Sequence, residues 1–226
     1  MAYSKVIAID GPSGSGKSTI AQMVAKQLGH TYIDTGAMFR GIGLHLTNKN
    51  ISETDLDLIA NELKLMDFFY GKSESELILL NGQNLTSEIR QHHVSDIASR
   101  YSKIQFIRDY LREFQRNLAK VKPCVMEGRD IGTVIFPNAY LKIFLTASDE
   151  VRAIRRQKQL LEKGERVNLQ QLIQDIKDRD ERDSQRDLAP LAKAMDAIEI
   201  LTDNLTIQEV ISKIINLEKQ FNGRLK

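Results

Sequence analysis

The chain has 226 residues, 42% of them hydrophobic, 6% aromatic and none tryptophan, which suits one sizeable core or a core with a small appendage. A formal net charge of +2 supplies no global field for nucleic acid or an acidic membrane surface, so any strong positive field must come from local arginine clusters. The single cysteine excludes an intramolecular disulfide and a cysteine-based zinc site.

Residues 1–5, Met-Ala-Tyr-Ser-Lys, carry no apolar signal core. No apolar run approaches the ~20 residues a membrane span needs. A soluble cytoplasmic protein is therefore expected. Val6-Ile7-Ala8-Ile9 predicts a first strand over Lys5–Asp10. It delivers the chain to Gly11-Pro12-Ser13-Gly14-Ser15-Gly16-Lys17-Ser18, a complete G-x-x-x-x-G-K-[ST] phosphate-binding loop, and a helix is predicted over 17–28. Successive backbone N–H groups of such a loop form a concave anion site, to which the helix N-terminus adds its dipole. Gly11, Gly14 and Gly16 let the backbone approach phosphate oxygens closely. Lys17 should reach the β- and γ-phosphates, and the Ser18 hydroxyl can coordinate Mg²⁺. Residues 11–19, ending at Thr19, are the candidate ATP-binding set.

A second strand over Thr31–Asp34 leads into Asp34-Thr35-Gly36-Ala37-Met38-Phe39-Arg40 and a helix over 36–47. Open α/β sheets place ligand groups at such strand ends. Thr35 can cap the helix and Arg40 lies about one turn inside it, although a capped helix with a surface arginine would read the same way. Residues 66–85 then break the pattern, with short apolar runs around Gly71-Lys72-Ser73 and Asn81-Gly82. Asn-Gly between apolar segments predicts a hairpin, here a small antiparallel insertion with helices before and after it. The helix predicted over 103–120 carries Arg108, Arg112 and Arg116 as a stripe that is either binding or merely solvated, with Ser99 in the helix before it.

The third main strand, Lys122–Glu127, contains Cys124 in an apolar stretch and is read as burying it. It opens into Glu127-Gly128-Arg129-Asp130-Ile131-Gly132-Thr133. The planar fork of Arg129 can grip a phosphate, and ionised Asp130 suits an exocyclic amine; an Arg–Asp pair stapling the loop is the plainer alternative. A strand over Tyr140–Leu145 precedes a helix over 149–163 with Arg152, Arg155 and Arg156 on neighbouring faces, followed by Lys158. After the polar link Glu162–Asn168, suited to a mobile lid, a helix over 168–186 places Arg179, Arg182, Asp183 and Arg186 at i, i+3, i+4 and i+7 on one face. Exposed helices usually intersperse their charges. Three arginines with one acid suggest instead a triphosphate in transfer, where cations gather around charge on the equatorial oxygens. A strand over Ala197–Leu201 and a helix over 206–220 complete the chain. His30, His45, His92 and His93 show no metal-site or triad spacing, and His92-His93 reads as surface.

The alternation of strands and helices predicts an α/β fold, a three-layer α/β/α P-loop architecture with a parallel core sheet. It would be one domain over 1–226 with a substrate-binding insertion at 36–120 and an arginine-bearing lid at 152–186.

Taken together, Ile9–Ser18, Asp34-Thr-Gly-Ala-Met38, Glu127-Gly-Arg-Asp-Ile-Gly-Thr-Val134, Lys177-Asp-Arg-Asp-Glu-Arg-Asp183 and Ala189-Pro-Leu191 resemble the bacterial cytidylate kinases, in order and spacing over nearly the whole chain. The resemblance implies ATP-dependent phosphorylation of CMP and dCMP to their diphosphates. It implies that Arg40, Arg129 and Arg186 grip the acceptor phosphate and that Ser99, Arg108 and Asp130 read the cytosine. It also implies that Arg179 and Asp183 hold the sugar and that Thr35 lies close to the monophosphate. Two residues depart from the family pattern: Phe39 stands where Tyr is usual, and Glu127 where Asp is frequent. From charge and place alone, Arg155 and Arg156 are expected to join Lys17, Arg129 and Arg186 around the transferred phosphoryl group when the lid closes. A kinase for AMP, UMP or shikimate is the nearest rival. A nucleotide switch or motor fits less well, since no Asn-Lys-x-Asp or Asp-x-x-Gly element is present. Near-neutral charge and one core suggest a monomer acting on small nucleotides, with no nucleic-acid or membrane partner.

Overall fold

A computed structural model describes residues 5–71, 73, 75–91, 93–162 and 164–224. The N-terminal residues 1–4, Lys72 of the predicted turn, His92 of the histidine pair and Lys163 of the polar link lie outside these. The elements in chain order are β1 (Val6–Asp10), α1 (Lys17–Leu28), β2 (Thr31–Asp34), α2 (Thr35–Asn48), α3 (Leu56–Leu65), β3 (Phe68–Tyr70), β4 (Ile78–Leu80) and β5 (Gln83–Asn84). A short 3₁₀ turn (Glu88–Arg90) follows, then α4 (Val94–Tyr101), α5 (Gln105–Leu118), β6 (Cys124–Gly128), a wide π-type turn (Ile131–Ile135), β7 (Leu141–Thr146), α6 (Asp149–Leu161), α7 (Leu169–Ser184), β8 (Ile198–Leu201) and α8 (Ile207–Arg224). Contacts divide the chain into two compact units, one comprising the residues up to Ile33 with those from Leu118 onward, the other Asp34–Asn117.

The first unit is built on a five-stranded sheet of order β2-β6-β1-β7-β8, with β1 parallel to β6 and β7, and β8 parallel to β7. β1 and β6 are buried along their whole length, as continuous apolar strands covered on both faces should be. Ile7, Ile9, Val125, Ile143 and Leu145 pack against Ile20, Ala21 and Val24 of α1 and Val210, Ile211 and Ile214 of α8. Cys124 is fully buried in β6, where burial pushes its thiol up to about 12. The chain leaves β1 towards β2 and later crosses from β6 to β7, so β1 sits at the point where the winding reverses. The carboxyl ends of strands at such a point form the ligand crevice of open α/β sheets. Beside the sheet, α6 and α7 share their own small core of Ala153, Leu160, Leu172 and Ile176.

In the second unit, α2 packs closely on its neighbours through two glycines. A Cβ at Gly41 would stand 2.7 Å from Ile78 Cγ2, and one at Gly43 3.0 Å from Ile97 Cγ2. His45 Nε2 and Glu62 Oε1, 2.7 Å apart, join α2 to α3. The predicted hairpin is a three-stranded sheet, β3-β4-β5, because Gln83 and Asn84 continue past the turn to pair with Leu80 and Leu79. That turn is made where expected, with Asn81 and Gly82 both in the left-handed region (φ 49° and 77°). The helix expected from 36 begins one residue earlier, and its cap is Asp34 rather than Thr35: Asp34 Oδ1 accepts from Ala37 N at 2.8 Å. Asp34 already has the extended backbone that a capping residue needs, whereas Thr35 is helical and buried.

Candidate active site

The phosphate-binding loop leaves the carboxyl end of β1 at Gly11, whose φ of 150° and close approach to β7 suit no other residue: its Cβ would fall 2.0 Å from the Leu145 carbonyl oxygen. Gly16, at φ 89°, precedes α1 and provides no side-chain cap. The first-turn N–H groups of α1 therefore keep the anion-binding character of an uncapped helix N-terminus. Lys17 is 5% exposed and its Nζ donates to Pro12 O at 2.6 Å and Ser15 Oγ at 3.4 Å. Ser18 and Thr19 are exposed beside it. A cavity of about 440 Å³ opens over Gly14–Ile20, bordered by Arg155, Arg156 and Lys158 of α6 and by Thr202, Leu205 and Ile207. Sites for small ligands commonly measure about 300–1,000 Å³. The cradle, the buried lysine and the cavity together fit a polyphosphate with its Mg²⁺, which the Ser18 hydroxyl would hold.

Both α6 and α7 secure the loop through Ser13. Arg152 donates to Ser13 O at 2.8 Å and to Ala147 O at 3.0 Å, and pairs with Asp149 and with Asp180. Ser13 N reaches Asp180 Oδ1 at 3.4 Å, and Arg179 donates to Ser13 Oγ at 3.1 Å. Arg152 thus belongs to the framework, although its sequence spacing had grouped it with the lid arginines. Arg155 donates to Thr202 Oγ1 at 2.9 Å and Thr202 O at 2.8 Å, which places it on the cavity wall at the end of β8.

The loop after β6 adds a second set of charges. Arg129 Nε donates to Asp183 Oδ2 at 3.1 Å, so its partner comes from α7 and not from the adjacent Asp130. Arg186 donates to Ala189 O at 2.6 Å and stands 4.0 Å from Asp130 Oδ1. Burial would raise the pKa of Asp183, but Arg129, Arg179 and Arg186 around it hold its carboxyl below the ordinary range. Glu127 is buried and accepts from Tyr32 OH at 3.0 Å. The expected single face of Arg179, Arg182, Asp183 and Arg186 is corrected at its end: α7 stops at Ser184 and Arg186 lies beyond it. There the chain turns through Ala189 (φ 48°) ahead of Pro190, and Leu191 N returns to Asp183 O at 2.8 Å.

In the second unit Arg40 pairs with Asp34 at 3.0 Å at the start of α2, beside buried Thr35. Arg108 is 7% exposed, donates to Ser102 O at 3.0 Å, and lies over the Phe39 ring at 5.6 Å. Phe39 thus supplies an aromatic face to a guanidinium. Ser99 is buried on α4. The Arg108 stripe divides in the structure: Arg108 is buried, whereas Arg112 and Arg116 are half-buried, with Arg112 pairing with Asp109. No metal-binding group of His, Cys, Asp and Glu occurs among the described residues, and none of their helices is long and apolar enough to cross a membrane.

Sequence reading missed Asp10, the one acid in an otherwise apolar strand. It accepts from Ile131 N at 2.9 Å and Gly132 N at 2.7 Å. Burial pushes Asp10 up from 3.8 to about 7 against those two amides, and pushes Lys17 down from 10.5 to about 7 with help from Arg129. The signs are opposite in pH. Stability from Asp10 falls as pH rises from 3.8 to about 7, and stability from Lys17 falls as pH drops from 10.5 to about 7. A polyphosphate in the loop would restore the charge of Lys17. Binding near pH ~8 is therefore expected to be accompanied by net proton uptake, read by calorimetry in two buffers of different ionisation enthalpy. Lys17→Met should abolish that uptake, and proton release by the wild type would contradict the account.

Comparison with known proteins agrees along almost the full length. The cytidylate kinase family model matches residues 7–220. A cytidylate kinase of Caldicellulosiruptor saccharolyticus is 50% identical over 212 residues, covering 93% of this chain and 94% of the relative. One from Thermosipho melanesiensis is 47% identical, covering 95% and 96%, and one from Clostridium tetani 44% identical, covering 94% and 92%.

Proposed function

The chain belongs to the cytidylate kinase family, and on that premise we propose that it transfers the γ-phosphoryl group of ATP to CMP and dCMP, giving CDP and dCDP. The observation that carries this reading is the gathering of cations at the carboxyl end of the sheet. Arg179 reaches Ser13, Arg129 joins Asp183, and Arg129 is close enough to depress Lys17. Cations held so near one another repel, and phosphate oxygens relieve that repulsion.

Residues 11–19 would hold the ATP phosphates, with Lys17 on the transferred group. Mg²⁺ on Ser18 would neutralise charge between the β- and γ-phosphates. Arg129 and Arg186, with Arg40, would grip the acceptor phosphate; Arg179 and Asp183 would hold the sugar, with Thr35 near the monophosphate. Ser99, Arg108 and Asp130 would read the base. Cytosine offers N4–H donors to a carboxylate and O2 and N3 acceptors to an arginine, whereas uracil presents O4 and N3–H and mismatches both. We assign 36–120 to acceptor binding and 152–186 to a lid. Arg155 and Arg156 approach the phosphoryl group when the lid closes and excludes water, Arg155 then exchanging Thr202 for phosphate. No nucleophilic side chain is required, since phosphoryl transfer depends on positioning and charge neutralisation. The working form in this reading is a cytoplasmic monomer.

A coupled assay of ADP release with CMP, dCMP, UMP and AMP tests the proposal, CMP and dCMP being expected as the preferred acceptors. Asp130→Asn is expected to lower kcat/KM for CMP relative to UMP by about 10²-fold, the upper end of what one buried polar group left unpaired costs (about 1–3 kcal/mol). An equal loss for every acceptor would remove Asp130 from base recognition.

A further inference from the structure

The turn Ile131–Ile135 begins immediately after Asp130, which therefore occupies the position where an aspartate ordinarily caps the first N–H groups of a helical turn. Asp130 makes no such cap. The N–H groups of Ile131 and Gly132 go instead to the two carboxylate oxygens of Asp10, 121 and 122 residues away, at 2.9 and 2.7 Å. We propose that Asp10 is a positioning residue for base selection: by capping the turn from β1, it releases Asp130 from capping and holds it where it can meet the exocyclic amine of cytosine. This inference rests on the assignment of Asp130 to the base.

Four observations favour it. Gly132 allows the close approach, since a Cβ there would meet Asp10 Oδ2 at 3.3 Å and Lys142 Cδ at 3.1 Å. Lys142, the nearby buried cation, is engaged elsewhere, donating to Pro137 O at 2.5 Å and Asp196 Oδ1 at 2.8 Å. Lys17 likewise directs its ammonium to Pro12 and Ser15. The direct partners of the Asp10 carboxylate are thus the turn amides. Burying a carboxylate in order to cap five residues of chain is costly, and burial indeed opposes its ionisation, so a role beyond local stability accounts for its place.

Without Asp10 the bare amides of the turn are expected to draw the Asp130 carboxylate back as a local cap and away from the base. The test is a double-mutant cycle of the full chain, Asp10→Ala, Asp130→Asn and both, read as the ratio of kcat/KM for CMP over UMP. Because both acceptors share the same ATP step, effects of Asp10 on Lys17 or on the fold cancel in the ratio. Asp10→Ala should lower it about tenfold, the typical worth of one cap. The double variant should be no less selective than Asp130→Asn alone. If Asp10→Ala scales both acceptors equally, or if its loss of selectivity adds in full to that of Asp130→Asn, the positioning role is wrong. A flat ratio for Asp130→Asn by itself would instead bring down the underlying assignment of Asp130. Asp10→Asn, which keeps one acceptor for two amides, is expected to be intermediate and serves if the alanine variant does not fold.

Discussion

Lys17→Met is expected to lower kcat/KM for ATP by about 10³-fold, some 4 kcal/mol of transition-state stabilisation, while leaving the nucleotide-free protein at least as stable as the wild type. The two halves have one cause. Lys17 is almost fully buried on its own loop, and burial beside Arg129 disfavours its charge. Methionine has similar length and no charge to bury, so it relieves the empty fold of that penalty. The same substitution removes the only cation carried by the loop itself, which bound phosphate would have met. Thermal unfolding with and without ATP reads both effects. The midpoint without nucleotide should hold or rise, and the shift on adding ATP should shrink. A lower midpoint in the absence of nucleotide, or a kinetic loss below about tenfold, would contradict the assignment of Lys17 as a held-back phosphate ligand.

Among the glycines whose surroundings are described, Gly11 should be the one where an added Cβ, as in Gly11→Ala, does most damage. The added Cβ would lie 2.0 Å from Leu145 O, a backbone atom with no slack. Leu145 sits in β7 opposite Ile200 of β8, and β7 also pairs with β1. Moving it breaks sheet pairing on one side or the other. Adding the overpacking penalty to that for a positive φ gives about 4 kcal/mol lost on unfolding in denaturant, with m unchanged. Gly16→Ala supplies the contrast. Gly16 also has positive φ, but nothing stands within 4 Å of its Cβ position, so only the smaller conformational penalty of about 1–3 kcal/mol applies. Comparable losses at the two positions would show that steric contact with β7 is not what restricts residue 11.

The core sheet was readable because its strands are short, apolar and punctuated by glycine or polar turns. The run at Thr31–Asp34 coincides with β2, and the others overlap the observed strands within two residues at either end. Weaker local signals failed. β5 is only two polar residues, too short for any periodicity, and α3 and α4 carried no marked bounds. The turn at Ile131–Ile135 is made by wide hydrogen bonds such as Phe136 N to Ile131 O, which leave no periodic trace. At the site, the phosphate loop was legible as a motif, and the arginines as a concentration of charge. Their partners were not, because pairing depends on contacts far apart in sequence: Arg129 joins Asp183 across 54 residues, Arg152 joins Ser13 across 139, and Asp10 caps a turn more than 120 residues away. Helical spacing alone extended α7 to Arg186; the turn before Pro190 ends it sooner.

Cys124 is the chain's only cysteine, and it lies sealed within β6 with its thiol held far from ionisation at neutral pH. Maleimide and iodoacetamide reagents attack exposed thiolates and should pass over it. The natural protein is therefore already a silent background for fluorophore attachment. A cysteine introduced at exposed Glu165, in the link between α6 and α7, would take up a dye alone and report nucleotide-dependent movement there without first removing the native sulfur.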